Sequence, residues 1–251
     1  MKKTLLLFFL IIFLNPFISN GKENKKNILI ISSYHKGFSF TDRIITGIET
    51  HFKRETSFTT SVYVEYLDFL RVPQTKLQKK NLIQFLKNRY ENIKVDALIT
   101  VDPEAFLFIN EYEKYFVKTS KKFYCGITQE IVNSIKNINE YLGLTVDYDF
   151  KRNFELANHL LPNRNNYYIL LDSSLLGNSI FNQIKKIENY FKDKKFIFIR
   201  DLSFNELLNT LKSDENNSVI FPFIYTRDKY DNLYQLDRKS TRLNSSHRTV
   251  S

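Results

Sequence analysis

Apolar residues along this chain gather into short runs that alternate with segments of helical spacing. Asn27-Ile28-Leu29-Ile30-Ile31-Ser32 is a short apolar run rich in β-branched residues that ends in small polar ones, the pattern of a strand buried on both faces beneath covering helices. Behind it, Ile44, Ile45, Ile48 and Phe52 recur at helical spacing over Thr41–Phe52, with Thr41 or Asp42 suited to the N-cap. The alternation continues with a strand over 61–66, a helix over 77–90 and a strand over 97–101. A helix from Glu104 to Phe116, opened by Pro103, then leads to a strand over 122–125. Proline fits the first helical turn because its missing N–H has no intrahelical partner there. The segment 142–146 reads as a crossing into a second lobe. That lobe continues as helix 150–161, strand 167–171, helix 176–191, strand 196–199, helix 204–211 and strand 219–223. Strands alternating with helices of this length predict parallel sheets joined by right-handed crossovers. The expected fold is therefore α/β with two Rossmann-like lobes, over 22–140 and 141–236.

Composition sharpens this picture. With 43% hydrophobic and 25% charged residues among 251, the chain has ordinary globular make-up, which excludes disorder, collagen-like repeats and a multi-span membrane protein. A single cysteine, Cys125, excludes a disulfide framework and a cysteine-based zinc site. Met1-Lys2-Lys3, the apolar run Leu5–Leu14 and the small residues Ser19-Asn20-Gly21 read as a secretory signal peptide over 1–21. Asn15-Pro16 end the run well short of the ~20 apolar residues a spanning helix needs. At the other end, Asp237–His247 resembles the translation of a sequencing adaptor. Residues 237–251 are accordingly read as foreign to the fold, with the natural chain continuing past Leu236 and the second lobe incomplete. Setting aside a net +3 in that tail and +2 in the leader reduces the formal charge from +10 to +5. The remaining lysines are scattered rather than gathered on one face, so no nucleic-acid partner is expected.

Ligands of open parallel sheets bind outside the carboxyl ends of the strands. That rule selects Ser33, Tyr34 and His35 after the first strand, Asp102 after the third and Gly126 after the fourth. In the second lobe it selects Asp172-Ser173-Ser174 and Tyr225-Thr226-Arg227-Asp228. Each has a structural alternative: Ser33 and Asp102 as caps of following helices, Tyr34 and Phe40 as packed loop residues, Gly126 as a turn. Dinucleotide, Walker, zinc-protease and nucleophile-elbow motifs are missing. Ser33, His35 and Asp102 leave a hydrolase as the remote alternative, without an identifiable oxyanion hole. The histidines His35, His51 and His159 are isolated, so no metal is expected, and no cofactor either.

Several of these segments carry a resemblance. Ile28-Leu29-Ile30-Ile31-Ser32-Ser33-Tyr34-His35 running into Phe40-Thr41-Asp42 resembles the opening of the ABC-transporter substrate-binding-like family, with Phe40 where that family usually has tryptophan. Glu65–Arg71, Thr100–Ala105, Phe123–Ile127 and Tyr225–Asp228 resemble later family segments in the same order, so the likeness spans about residues 27–230. It implies an exported bilobed module of periplasmic-binding-protein type, type I in style, that is not itself an enzyme. The implied ligand is a small molecule, an amino acid, peptide or small organic acid, bound near Ser33, Tyr34, His35, Phe40, Asp102, Gly126, Asp172 and Asp228. Such modules serve either ABC importers or, as the extracytoplasmic input domain, membrane histidine kinases. The Ser-Tyr-His version is more similar to the sensor group, which implies a membrane-embedded signalling partner and a homodimer.

Overall fold

A computed structural model describes residues 25–234, except 55, 56, 73, 120, 201, 215 and 231. The expected signal peptide and the adaptor-like tail lie outside the described residues. Eight strands fall into two parallel sheets. The first contains β1 (Lys26–Ser32), β2 (Thr60–Tyr66), β3 (Ala97–Val101), β4 (Lys122–Ile127) and β5 (Tyr141–Thr145), in the order β2-β1-β3-β4-β5. The second contains β6 (Asn166–Leu171), β7 (Lys195–Ile199) and β8 (Ser218–Ile224), in the order β7-β6-β8. Two Rossmann-like α/β lobes are thus present.

The unbroken apolar run of β1 follows from having helices on both faces. Leu29 and Ile31 point into a core shared with Leu86 and Tyr90 of α2 (Lys76–Tyr90) and with Phe106 and Ile109 of α3 (Pro103–Tyr112). Ile28 and Ile30 point the other way, onto Ile45 of α1 (Ser39–Arg54). The strand's period of two sorts one sequence into two cores. A short helix that the periodicity did not reveal, α4 (Gln129–Asn133), follows β4.

The second lobe is built the same way from larger side chains. Tyr167, Ile169 and Leu171 of β6 face α5 (Phe150–Leu160) and α6 (Leu175–Ile187), whereas Tyr168 and Leu170 face α7 (Phe204–Ser213) through Leu207. Phe154 of α5 sits at the centre, its ring 4.8–5.9 Å from those of Tyr167, Phe191, Phe196 and Phe221, mostly edge to face. Rings at such spacing contribute beyond the area they bury.

One boundary differs from expectation. The segment read as crossing into the second lobe is β5, which pairs along β4 as the edge of the first sheet. The first lobe's hydrogen bonding therefore runs to Thr145 rather than stopping at 140. Nothing in the run itself marks it as part of the first sheet, because Leu142 and Leu144 are both largely exposed and it pairs on one side, along β4. The lobes then meet through Thr128 and Ser179, whose hydroxyls lie 2.9 Å apart, and through Glu130, which accepts from Ser179 and Asn182, each at 3.0 Å.

Candidate functional site

An open parallel sheet forms a crevice where its strand order reverses, because the loops leaving the two neighbouring strands run to opposite faces. In the first sheet that point lies between β1 and β3, and in the second between β6 and β8. The four loops leaving these strands meet around one cleft of about 540 Å³. Tyr34, Phe38 and Glu104 line it from the first lobe, with Phe69 and Leu70 from the loop after β2. Asp172, Ser173, Ser174, Arg200 and the run Thr226–Lys229 line it from the second. Across the mouth, the Arg227 guanidinium donates to the carbonyl of Leu70.

Tyr34 is the sequence-selected residue of the first lobe that reaches this cleft. It is buried, with its ring 4.6 Å from that of Phe38. Burial first, then the negative charges of Glu104, Asp102 and Asp172, push its hydroxyl well above the ordinary tyrosine range, so it stays protonated as a donor.

The neighbouring candidates are engaged in building the rim. Ser33 Oγ accepts from the Ala105 amide at 2.7 Å and donates to the Val101 carbonyl at 3.3 Å. It therefore caps α3 from the adjacent strand, in place of the formal N-cap Asp102, whose side chain makes no capping bond. His35 turns away from the cleft: its Nδ1 lies 3.6 Å from Asp68, which Arg71 clasps with bonds of 2.7–2.9 Å. Burial, then the Arg71 charge, lowers the imidazole's proton affinity against the opposing pull of Asp68 and Asp42. Phe40, in the first turn of α1, is exposed and is not among the residues lining the cleft.

Asp102 and Gly126 form a unit beneath the rim. Asp102 is 2% exposed, has φ 71°, and accepts from Thr41 Oγ1 at 2.5 Å. Burial drives its carboxyl up to about 7, against the lowering effect of the Thr41 bond. Gly126, at φ 74°, lets β4 pass this close: a Cβ there would stand 3.0 Å from Asp102 Oδ1. Cys125 alongside is pushed up to about 12 by burial and by Asp102, so its thiol is unreactive at neutral pH.

In the second lobe both predicted aspartates are occupied by donors from the rim loops. Asp172 Oδ1 accepts from the Ser174 amide at 3.1 Å. Its Oδ2 accepts from the Thr226 amide at 2.9 Å and from the Thr226 hydroxyl at 2.5 Å. Asp172 thereby fastens the β6 loop to the β8 loop. Gly177 makes room for it, since a Cβ there would fall 2.2 Å from the Asp172 carbonyl oxygen. Asp228 accepts from the amides of Tyr230 and Asn232, from the Asn232 side chain and from the Tyr234 hydroxyl, at 2.9–3.0 Å. Burial would raise its carboxyl, but these donors outweigh burial and hold it at about 2.

Sequence reasoning missed Glu104 and Arg200. Glu104 lies two residues past the selected Asp102, just after Pro103. The positive φ of Asp102 turns that aspartate inward and brings the next carboxylate to the cleft. The signal was available: a second acid in the first turn of a helix that starts at a sheet's reversal point. Arg200 follows β7, which is not at the reversal point, and nothing in the sequence distinguishes it.

Among the described residues no helix is long and apolar enough to cross a membrane. No protein-family model matches this chain, and no curated protein matches it either.

Proposed function

We propose that the chain is an extracytoplasmic small-molecule-binding module, the ligand-sensing input domain of a membrane signalling protein of the histidine kinase type. The observation that carries this reading is the cleft of about 540 Å³, lined from both lobes by loops at the carboxyl ends of strands. Its size and its mixture of aromatic walls with a few polar groups suit a small organic ligand. The exported-protein leader and the Ser-Tyr-His resemblance supply the rest: a module outside the cytoplasm, read by a membrane-embedded partner, without catalysis of its own. The chemistry is recognition. A ligand held by Tyr34 and Glu104 on one side and by the Asp172–Ser174 and Thr226–Arg227 loops on the other favours the closed arrangement of the lobes. It does so by its difference in affinity between open and closed states.

Thermal-shift screening of residues 22–236 against amino acids, amines, short peptides and organic acids tests this. A true ligand at 100 times its Kd adds ~2.7 kcal/mol of stability. Tyr34→Ala should abolish the shift while leaving the unliganded protein folded. A complete lack of response over all these classes would contradict the reading. The gene sequence beyond the codon for Leu236 separates the sensor from the second reading, a free carrier for an ABC importer. An apolar span followed by a signalling domain marks the sensor, and a stop codon marks the carrier.

A further inference from the structure

We infer that Glu104 is the residue that recognises the ligand, and that the ligand presents a protonated amine to it. The inference rests on the cleft being the ligand site and adds to it the chemical class of the occupant.

Four carboxylates stand near the cleft, and they differ in whether an oxygen that is shut away from solvent lacks a partner. Asp102 is bonded to Thr41, Asp172 takes three donors, and Asp228 takes four. Glu104 differs. It lines the cleft, yet its Oε2 is shut away from solvent and has no hydrogen-bond partner among the described residues. Nor does any lysine, arginine or histidine among the described residues form an ion pair with it. Burying a carboxylate without a compensating charge is costly, by several kcal/mol per ion in real proteins. The start of α3 gives Glu104 some favourable dipole, but that benefit is available to an exposed side chain and needs no burial. Glu104 therefore brings to the cleft a carboxylate with no cationic partner and one oxygen without a donor, which suits a cation.

The surroundings select the same sign. Burial raises the Glu104 carboxyl above its usual range; its own amide and the hydroxyls of Tyr34 and Ser33 offset part of this, and the charge of Asp172 adds to it. The charges of Glu104, Asp102 and Asp172 all act on Tyr34, so acidic groups of both lobes converge on this wall of the cleft. The rings of Tyr34, Phe38 and Phe69 beside it are themselves suited to a cation. The basic residues of the cleft lie on the second lobe. Arg227 donates to Leu70, Lys229 pairs with Glu206 at 2.6 Å, and Arg200 donates through Nη2 to Asn178 and stacks on Phe181 while its buried Nε has no partner among the described residues, a donor that faces acceptors rather than an amine. An ammonium at Glu104 would donate a charge-assisted bond to an oxygen shut away from solvent, and shielding from water strengthens such a bond.

Three matched probes isolate the amine: norleucine, pentylamine, which is norleucine without its carboxylate, and hexanoate, which is norleucine without its amine. Binding is followed by NMR shift perturbation and thermal shift, with wild type, Glu104→Gln and the shorter carboxylate Glu104→Asp. The expected result is that norleucine and pentylamine bind, that hexanoate binds at least tenfold more weakly, and that E104Q weakens the two amines at least tenfold. E104D should retain part of the affinity, and hexanoate should bind E104Q no worse than wild type. Binding led by hexanoate, or amine binding unchanged in both variants, would overturn the assignment while leaving the cleft as a ligand site. Failure of all three probes, together with a lack of response in the wider screen, would overturn both. E104Q removes no hydrogen bond from Oε2, so it should fold; if it does not, E104D carries the comparison.

Discussion

Asp102 and Asp172 each follow directly on a strand at the point where its sheet reverses order, and both are 2% exposed, yet the two lobes hold them in opposite ways. The second lobe surrounds Asp172 with two backbone amides and a hydroxyl, which makes the carboxylate a clamp between two loops. The first lobe gives Asp102 one hydroxyl donor and the close approach of Gly126, so burial dominates and the carboxyl rises to about 7. Two residues later the same lobe leaves Glu104 without a partner for Oε2. Burial of an acid therefore says little about its role. What separates these acids is whether an oxygen facing the cleft is left without a donor, as Glu104 Oε2 is.

The largest expected effect separates the two aspartates through pH. Asp102 has a folded-state value of about 7 against an ordinary 3.8, so the folded state binds its proton more tightly than the unfolded state does. The stability linked to it is fully present below about pH 4 and is lost as pH rises through about 7, amounting to as much as ~4 kcal/mol. Asp102→Asn keeps an acceptor for Thr41 and carries no charge. Urea melts at pH 5 and pH 8 should show the variant gaining on wild type at the higher pH, whereas a constant difference would break the contrast.

Asp172→Asn should act in the other direction, costing ~3 kcal/mol at pH 7, because an amide nitrogen would face groups that are themselves donors. Next in size is Gly126→Ala, expected to cost ~2 kcal/mol from a left-handed backbone and the contact with Asp102. Combined with Asp102→Asn, the two changes should not add, since the residues touch. Smallest is Asp228→Ala. Amide exchange at Tyr230 and Asn232 should accelerate, with little change in global melting, because the four bonds it removes all lie within one loop.

The sequence disclosed the lobes through a general physical cause. Strands buried on both faces must be continuously apolar, and β1, β3 and β6 are. It read β5 as a crossing between lobes because a short edge strand with Leu142 and Leu144 exposed carries no local sign of which sheet it joins. At the cleft, the strand-end rule correctly brought Tyr34 and Asp172 to one gap. It also selected Ser33 and Asp102, which hold the rim together from below, and His35, which pairs sideways with Asp68. Those distinctions depend on the sign of one backbone angle at Asp102 and on donors arriving from distant segments, such as Ala105 for Ser33 and Thr226 for Asp172. Neither is written in the local pattern, and for the same reason Glu104, whose Oε2 lacks a donor, emerged only from the three-dimensional arrangement.

The contrast between Asp172, both of whose oxygens hold donors, and Glu104, whose Oε2 holds none, is tested most directly by one pair of urea melts at pH 7, on Glu104→Gln and Asp172→Asn without ligand. Both swaps are isosteric and both remove one negative charge. The expected result is that E104Q melts at or above wild type while D172N loses ~3 kcal/mol. Equal losses in the two variants would contradict it, since Glu104 would then be holding the fold together as Asp172 does.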